Sequence, residues 1–243
     1  EVNLVQEMLP EVTAIHMHPE KTVEFKNILA SYGLFDTLTL TEEDKRRGEM
    51  YKTEDARKSL KHKSADMLSY FKSLKMEIEI CMADEYSIPR IAQLTQKTNQ
   101  FNLTTKRYSD TDIKNYADSN NSNVIYLKLK DRFGDYGIIG VAIIKHLSDS
   151  SEIDTFLLSC RAIGRGVEDV LLGESIELSR KLHKKSVCGW YVKTKKNWQV
   201  ADFYKKYGFC VIEKNDTGTF YRLDTTQQCN NSPEYFKDIC VYL

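Results

Sequence analysis

A glycine-containing turn with two arginines is the sharpest chemical signal in the sequence. It reads Arg161-Ala-Ile-Gly164-Arg-Gly166 and lies between a predicted strand, 155–159, and a predicted helix, 167–182. Glycines let a backbone approach a ligand closely, and the N–H groups at the start of a helix attract phosphate. Neither dinucleotide-binding nor P-loop spacing is present, so the turn alone indicates a ligand site without defining its ligand.

A second segment, roughly thirty residues further on, predicts a helix that ends at Gly208. From Asn197 to Phe209 the sequence reads NWQVADFYKKYGF. One interpretation is purely structural: Phe203 and Tyr204 pack in the core while Gly208 caps the helix. The segment gains chemical meaning only when it is read together with the turn.

Together, the two segments resemble the GNAT superfamily of N-acetyltransferases. In that family an R-x-x-G-x-G/A turn wraps the diphosphate of coenzyme A, and an N-x-x-A-x-x-F-Y-x-x-x-G-F segment closes the site; Val200 here replaces the usual Ala. The resemblance implies that the main-chain amides of residues 163–166 hold the diphosphate of a pantetheine-bearing molecule in a cleft beside the Tyr204 helix. It makes Tyr204 the general acid that reprotonates the thiolate leaving group. The cofactor-binding residues that it implies are Arg161, Ile163, Gly164, Arg165, Gly166 and Asn197.

Four carboxamides recur every three residues in the segment 89–108: Gln93, Gln96, Asn99 and Asn102. On a helix they would follow one slowly drifting face. Carboxamides both donate and accept hydrogen bonds, which suits a neutral, hydroxylated or amide-bearing substrate. A polar packing network between the helix and a loop explains the pattern equally well.

Three stretches of the sequence are similar to the FkbH-like family. They are the carboxamide segment, residues 154–168 and Leu38-Thr-Leu-Thr-Glu-Glu-Asp-Lys45. Members of this family join a phosphatase-type domain of the haloacid dehalogenase (HAD) superfamily to a C-terminal GNAT-like domain. They are associated with loading glyceryl units from a phosphorylated glycerate onto an acyl carrier protein in polyketide-type pathways. The resemblance therefore implies glyceryl-type acyl transfer on a phosphopantetheine thioester of coenzyme A or of an acyl carrier protein, with a small-molecule acyl donor.

The HAD signature departs from this pattern. A HAD site needs D-x-D-x-T at the end of a buried strand, whereas the D-x-D at Asp110-Thr-Asp112 follows a polar segment and predicts a helix cap at Ser109. We therefore expect the phosphoryl-transfer centre, with its Mg²⁺, to lie outside this chain, and we expect no phosphatase activity. A non-catalytic docking module for acyl carrier protein is the main alternative function, and a plain α/β domain with chance motifs is the third.

Cys160 precedes the turn and offers a further mechanism. Its thiolate could accept an acyl group before passing it to the carrier, although a single cysteine on a strand is commonly a small hydrophobic residue. Asp154 and Glu168 lie near the turn in sequence, but neither is assigned as a general base. The six cysteines are scattered and His16 and His18 stand apart from them, so we expect no metal site.

A basic stretch, 180–206, holds nine lysines and arginines against the single acid Asp202. Such a surface attracts anions, including coenzyme A phosphates or an acidic acyl carrier protein; alternatively, its charges simply face solvent. The whole chain has 35 basic and 35 acidic residues among 243, which argues against a dedicated nucleic-acid binder. The longest apolar run, 137–144, is too short to cross a membrane, and reduced cysteines suit the cytoplasm.

The order of predicted elements defines the expected architecture. We predict an α/β fold with a mixed sheet, GNAT-like, preceded by a mostly helical remnant of a HAD domain and a linker. The boundaries are 1–40 for the remnant, 41–75 for the helical linker and 76–224 for the GNAT-like domain. Residues 225–243 form a C-terminal tail that packs back on this domain through its apolar residues.

Overall fold

The computed structural model describes residues 2–9, 12–33, 47–227 and 232–243. The chain divides into two compact units, 1–42 and 43–243. The smaller unit contains helix α1 (Val2–Met8), a 3₁₀ segment (Pro19–Glu24) and helix α2 (Phe25–Ser31). It contains no strand among its described residues.

The larger unit holds the remaining helices. They are α3 (Arg47–Lys63), α4 (Met67–Leu74), α5 (Ile88–Lys97), α6 (Asp110–Ala117), α7 (Val167–Lys181) and α8 (Phe203–Lys206). Ser109 caps α6, where its hydroxyl and the Asp112 carboxylate each accept a hydrogen bond from the other residue's backbone N–H. The cap predicted at Ser109 is confirmed. The region 41–75, predicted as a linker, contributes α3 and α4 to this unit, and Tyr70 and Leu74 of α4 are buried.

Nine strands of the described residues form one mixed sheet. They are β1 (Glu77–Met82), β2 (Phe101–Asn102), β3 (Ser122–Asp131), β4 (Gly134–His146), β5 (Ser150–Leu158), β6 (Ser186–Tyr191), β7 (Cys210–Lys214), β8 (Thr219–Asp224) and β9 (Asp238–Tyr242). The strand order is β7-β8-β6-β5-β4-β3-β1-β9, and β2 pairs with β5. β9 lies parallel to β1 at the edge, so the last residues of the chain are part of the sheet.

Alternating side chains build a hydrophobic core on each face of the sheet. In β3, Ile125 and Leu127 point into the core that α4, α7 and α8 cover. Val124 and Tyr126 of the same strand point into the core beneath α5 and α6. Because successive side chains of a strand alternate between faces, one apolar strand serves both cores. Helices on both faces of a mixed sheet confirm the predicted α/β class.

The parallel strands β5 and β6 position the glycine-containing turn. They pair at four positions, Ser150–Ile153 against Ser186–Gly189, and then separate. The chain leaves β5 at Leu158, passes through the turn and enters α7 at Val167. The turn therefore lies at the carboxyl ends of two parallel strands and at the N-terminus of a helix. Among the described residues, no helix is both long and apolar enough to span a membrane.

Candidate functional site

The turn adopts the backbone conformation for which its glycines are suited. Residues 160–162 form a short 3₁₀ turn, and Gly164 and Gly166 follow with φ of 77° and 72°. This left-handed region is costly for residues that carry a Cβ. A Cβ placed on Gly164 would meet no atom within 4 Å, so this side of the turn is open.

The Gly166 side of the turn is covered. A Cβ on Gly166 would come within 2.2 Å of the Tyr235 hydroxyl and 2.9 Å of Pro233. That hydroxyl donates a 3.0 Å hydrogen bond to the Arg165 carbonyl, and burial raises the pKa of Tyr235 to about 12. Pro233 and Tyr235, which precede β9, thus cover the Gly166 end of the turn, whereas the Gly164 end has open space.

A cleft of about 1080 Å³ lies in front of the turn. Its described lining includes the acid Glu54 and seven basic residues: Arg57, Arg90, Lys97, Arg161, Arg165, Lys195 and Lys196. Such an excess of positive charge in a concave surface concentrates anions. We call this feature the cationic cleft.

The wall of the cationic cleft is held by a buried carboxylate. Asp131 accepts hydrogen bonds from Nε and Nη2 of Arg57 at 2.7 and 2.8 Å and from the Tyr136 hydroxyl at 3.1 Å. The Arg165 guanidinium lies 3.8 Å from the same carboxylate and 4.9 Å from the centre of the Tyr136 ring. Glu54 also lies 3.6 Å from Arg57, so two carboxylates balance these two guanidinium groups. The excess positive charge of the cleft comes from the other five basic residues of its lining.

The electrostatics of Asp131 explain how it stays ionised. Its side chain is fully buried, which by itself raises the pKa of a carboxyl. Hydrogen bonds from Arg57, from the Phe133 amide and from Tyr136 outweigh burial, and the pKa of Asp131 falls below its usual value. Arg165 Nη1 is also buried and donates no hydrogen bond to a described group. This donor in the lining is the natural place for an anionic oxygen.

The cationic cleft collects some of the predicted site residues and not others. Cys160, Arg161, Ile163, Arg165, Gln93 and Asn99 line it. Cys160 is exposed.

The other two predicted carboxamides do not line the cleft. Gln96 donates to the Tyr108 carbonyl at 3.1 Å. Asn102 is fully buried on β2, where its side chain accepts from the amides of Thr104 and Thr105. The expectation of one helical carboxamide face is wrong, because α5 ends at Lys97 and the chain continues as a loop and a strand.

The Asn197 side chain forms hydrogen bonds with backbone groups of the protein. Its side chain is fully buried and donates to the carbonyls of Asn102 and Val192 at 2.9 and 3.0 Å, while its Oδ1 accepts from the Thr194 amide at 2.8 Å. These bonds occupy both hydrogens of the side-chain amide. The group predicted to contact the cofactor arm is therefore engaged with the protein backbone.

Tyr204 also lies in the core rather than in the cationic cleft. It is 1% exposed, and its hydroxyl contacts Gly189, where a Cβ would come within 2.1 Å of the oxygen. The hydroxyl has no hydrogen-bond partner among described groups, and burial raises its pKa. A general acid must lie within hydrogen-bond reach of the group that it protonates. The structure does not bring Tyr204 to the surface of the cleft.

The acid nearest the turn in sequence on its N-terminal side, Asp154, is likewise committed. It accepts from Lys106 at 2.7 Å and from the Tyr108 hydroxyl at 2.6 Å, and it forms an ion pair with Lys145. Burial raises the pKa of Asp154, but these partners outweigh it and the net shift is downward. Asp154 joins β5 to the loop that precedes α6. Glu168, in the first turn of α7, has a pKa raised by burial.

The basic stretch predicted to attract an anionic partner is dispersed by the fold. Lys195 and Lys196 line the cationic cleft, whereas other members pair locally, such as Lys185 with Asp149 and Lys206 with Asp169.

Arg57 and Tyr136 were not identified as site residues from the sequence. Arg57 meets Asp131 from 74 positions away in the chain, and no local motif marks such a pair.

The residues present fit one part of coenzyme A and not another. The basic lining, the open side of Gly164 and the buried Arg165 donor suit phosphate groups. An extended arm between β5 and β6 does not fit, because residues 101–103 fill the space where these strands separate. The described residues contain no group of three or more His, Cys, Asp or Glu side chains placed to hold a metal ion.

Comparison with known proteins gives structural similarities alone. No family model and no curated protein matches the chain. The PaiA N-acetyltransferase from Thermoplasma acidophilum, solved in complex with coenzyme A, is similar at 15% identity and a TM-score of 0.46, over 60% of this chain and 98% of that one. The ribosomal-protein-S18-alanine N-acetyltransferase from Escherichia coli is similar at 13% identity and a TM-score of 0.47, over 63% and 97%. N-acetylglutamate synthase from Neisseria gonorrhoeae, complexed with coenzyme A and N-acetyl-glutamate, is similar at 16% identity and a TM-score of 0.47, over 62% and 35%.

Proposed function

We propose that this chain serves acyl transfer by binding a phosphopantetheine thioester, with the phosphate end of the carrier in the cationic cleft. The observation that carries the proposal is the cleft itself, whose lining holds seven basic residues together with Ile163 and Arg165, the neighbours of the open Gly164. Phosphate esters are the ligands that such a combination of charge and backbone amides attracts. The GNAT-like sequence pattern of the turn points to the same class of carrier.

The resemblance to FkbH-like proteins supplies the finer detail of the proposal. On that basis the acyl group is glyceryl-type, the carrier is coenzyme A or an acyl carrier protein, and the pathway is of the polyketide type. Residues 1–40 would then be the end of a HAD-like domain and 41–75 its linker. These assignments rest on the similarity of the quoted motifs.

Cys160 provides a catalytic version of this function. Its exposed thiol lies in the lining of the cationic cleft. In this version a thioester bound there presents its carbonyl to that sulfur. The Cys160 sulfur would attack the thioester carbonyl, and the carbon–sulfur bond to the donor would break. The acyl group then resides on Cys160, while the released donor thiolate takes the proton that Cys160 gave up.

Trapping the acyl group on the protein tests this version. Incubation with acyl-coenzyme A, or with acylated carrier protein, should produce an adduct that intact-protein mass spectrometry detects. Cys160→Ser should lose the adduct, and Cys210→Ser, which alters another exposed cysteine on β7, should keep it. An adduct that survives Cys160→Ser would show that the acyl group resides elsewhere.

A docking module is the second candidate, and the placement of Tyr204 and Asn197 favours it. Both residues are buried and engaged in packing or backbone hydrogen bonds rather than placed in the cleft. In this version the chain binds the carrier and presents it to another domain without chemistry of its own. Calorimetric binding of carrier protein, with no adduct and no turnover, would favour docking. Absence of binding by coenzyme A and by carrier protein would contradict both versions.

A further inference from the structure

The separation of β5 and β6 creates a break in the sheet at its carboxyl edge. The two strands pair up to Ile153 and Gly189. Beyond these residues, 154–158 and 190–192 have no hydrogen bonds to each other among the described pairs. We call this space the strand gap. It opens toward the turn, so an extended ligand held at the turn would have its natural path here.

The chain fills the strand gap with its own residues 101–103. The first two, as β2, pair antiparallel with Leu157–Leu158 of β5. The Leu103 amide donates to the Phe156 carbonyl at 3.1 Å, and the Leu103 carbonyl accepts from the Val192 amide at 2.8 Å. The segment therefore bonds to both separated strands, as an inserted ligand with amide groups would do.

The filling is part of the core. Phe101 and Leu103 are 4% and 0% exposed, and the Phe101 ring contacts the rings of Phe156 and Phe203. The Asn197 side-chain amide also holds this segment, because it donates a hydrogen bond to the Asn102 carbonyl. Removing the segment would expose these apolar side chains and break hydrogen bonds on both sides. The strand gap is therefore closed by a buried, hydrogen-bonded segment of the core.

The cationic cleft remains open above the filled gap. Asn99 and Gln100, which lead into β2, belong to its lining, so the filling segment forms one wall. Trp198 lies in the same lining and is 71% exposed. An exposed indole beside Lys195 and Lys196 can stack on a base whose phosphates meet the lysines.

We propose that the cationic cleft is a nucleoside-phosphate site that holds coenzyme A by its nucleotide end alone, because β2 occupies the path of the extended arm. This inference deepens the proposed function and rests on it. The arm of a bound coenzyme stays outside the sheet, on the side where Cys160 lies. The arm then contributes little to affinity, and adenosine 3′,5′-bisphosphate should bind about as well as the whole coenzyme.

Fluorescence of Trp198 tests the inference directly. The chain has two tryptophans, so Trp190→Phe leaves Trp198 as the single reporter in the cleft. Titration with adenosine 3′,5′-bisphosphate and with coenzyme A should give dissociation constants within about threefold of each other. Pantetheine, which lacks the nucleotide, should give no binding in the same concentration range.

Other outcomes would contradict either this inference alone or the inference together with the proposed function. Coenzyme A binding more than about tenfold tighter than the bisphosphate would overturn the inference and leave the proposed function standing. Binding of holo-carrier protein, without binding of coenzyme A or of the bisphosphate, would also overturn the inference and leave the proposed function standing. Binding of the bisphosphate with coenzyme A excluded would overturn both, because the coenzyme would then not be held by its nucleotide end. Binding of none of these ligands, checked by calorimetry, would overturn both.

A matched pair of lysine variants locates the site. Lys196→Ala removes a cation of the cleft lining, and Lys193→Ala removes an exposed cation of the same loop that is not in the lining. The bisphosphate affinity should fall about fivefold in the first variant and stay unchanged in the second. Added salt should reduce the difference, because it screens exposed charges. Equal losses of affinity in both variants would mean that the overall positive charge of the loop attracts the ligand. That result would contradict a defined nucleotide site in the cationic cleft.

Discussion

The strand gap and the cationic cleft lie side by side at the same edge of the sheet, yet they are built in opposite ways. The gap is closed by neutral backbone and apolar side chains from 101–103, hydrogen-bonded on both sides. The cleft is open and lined by cations. A site that binds coenzyme A through both ends would need both regions to be open. In this chain the charged cleft is open and the strand gap is filled.

The largest effect is expected where the cleft itself depends on a buried charge. Asp131→Asn leaves the buried Arg57 guanidinium facing a neutral group, and losing one partner of such a pair costs about 3–5 kcal/mol of unfolding free energy. Urea denaturation near neutral pH measures the loss. Asp135→Asn, an exposed carboxyl of the same hairpin, should cost less than about 1 kcal/mol.

The pH dependence of Asp131 follows from the direction of its shift. Its folded-state pKa is depressed below the ordinary value of 3.8, so its stabilisation is present above pH 3.8. It is lost as the pH falls through the lower folded-state pKa. The difference between the wild-type chain and Asp131→Asn should therefore narrow in strong acid. A constant difference across that range would mean that packing, and not charge, holds the wall of the cleft.

The next largest effect is expected in the strand gap. Leu103→Ala leaves a cavity at a fully buried position and should cost about 2–5 kcal/mol. Leu147→Ala, at a side chain that is 53% exposed, is the matched control and should cost far less. Nucleotide affinity should not change in either variant. Tighter binding of coenzyme A by Leu103→Ala would show that the gap can admit the arm, which would break the contrast between the two regions.

Asn197 joins the strand gap to the loop that carries the cleft lysines, and its loss should have an intermediate effect. Asn197→Ala removes two donated hydrogen bonds and two accepted ones, from the Thr194 amide and the Tyr191 hydroxyl, and unsatisfied buried carbonyls cost about 1–3 kcal/mol. Asn197→Asp keeps the acceptor for Thr194 and loses both donors, so it should be as destabilised as Ala. Thermal unfolding and amide exchange at Leu103 measure these losses. A stable Asp variant would mean that the Thr194 bond alone matters.

The sequence predicted the local parts of this arrangement well. The turn, the helix after it and the cap at Ser109 depend on residues within a few positions, where glycine conformation and hydrogen-bonding side chains act directly. The alternation of apolar residues also predicted most strands of the sheet, because burial on two faces repeats with period two.

The parts that the sequence did not predict depend on long-range contacts. The three-residue spacing of carboxamides continues past Lys97, but Asn102 pairs with β5, more than fifty positions away. The spacing that predicted a helix therefore included Asn102, which pairing with β5 holds in an extended conformation. The pairing of Arg57 with Asp131 is similar, since a guanidinium in one helix and a carboxylate in one hairpin carry no shared local signal. Filling of the strand gap could be recognised only once both strands were in place.

The smallest expected effect separates the shape of the turn from its openness. Gly164 and Gly173 both have open space where a Cβ would be added, but only Gly164 has a left-handed φ. Gly164→Ala should cost about 1 kcal/mol because the alanine is strained, whereas Gly173→Ala, inside α7, should stabilise the fold by about 0.5–1 kcal/mol. Chemical denaturation of both variants measures the sign of each change. If Gly164→Ala proved neutral, the turn would tolerate an ordinary backbone conformation. The anion binding that we propose for the cleft would then depend on the cations of its lining and not on a preformed turn.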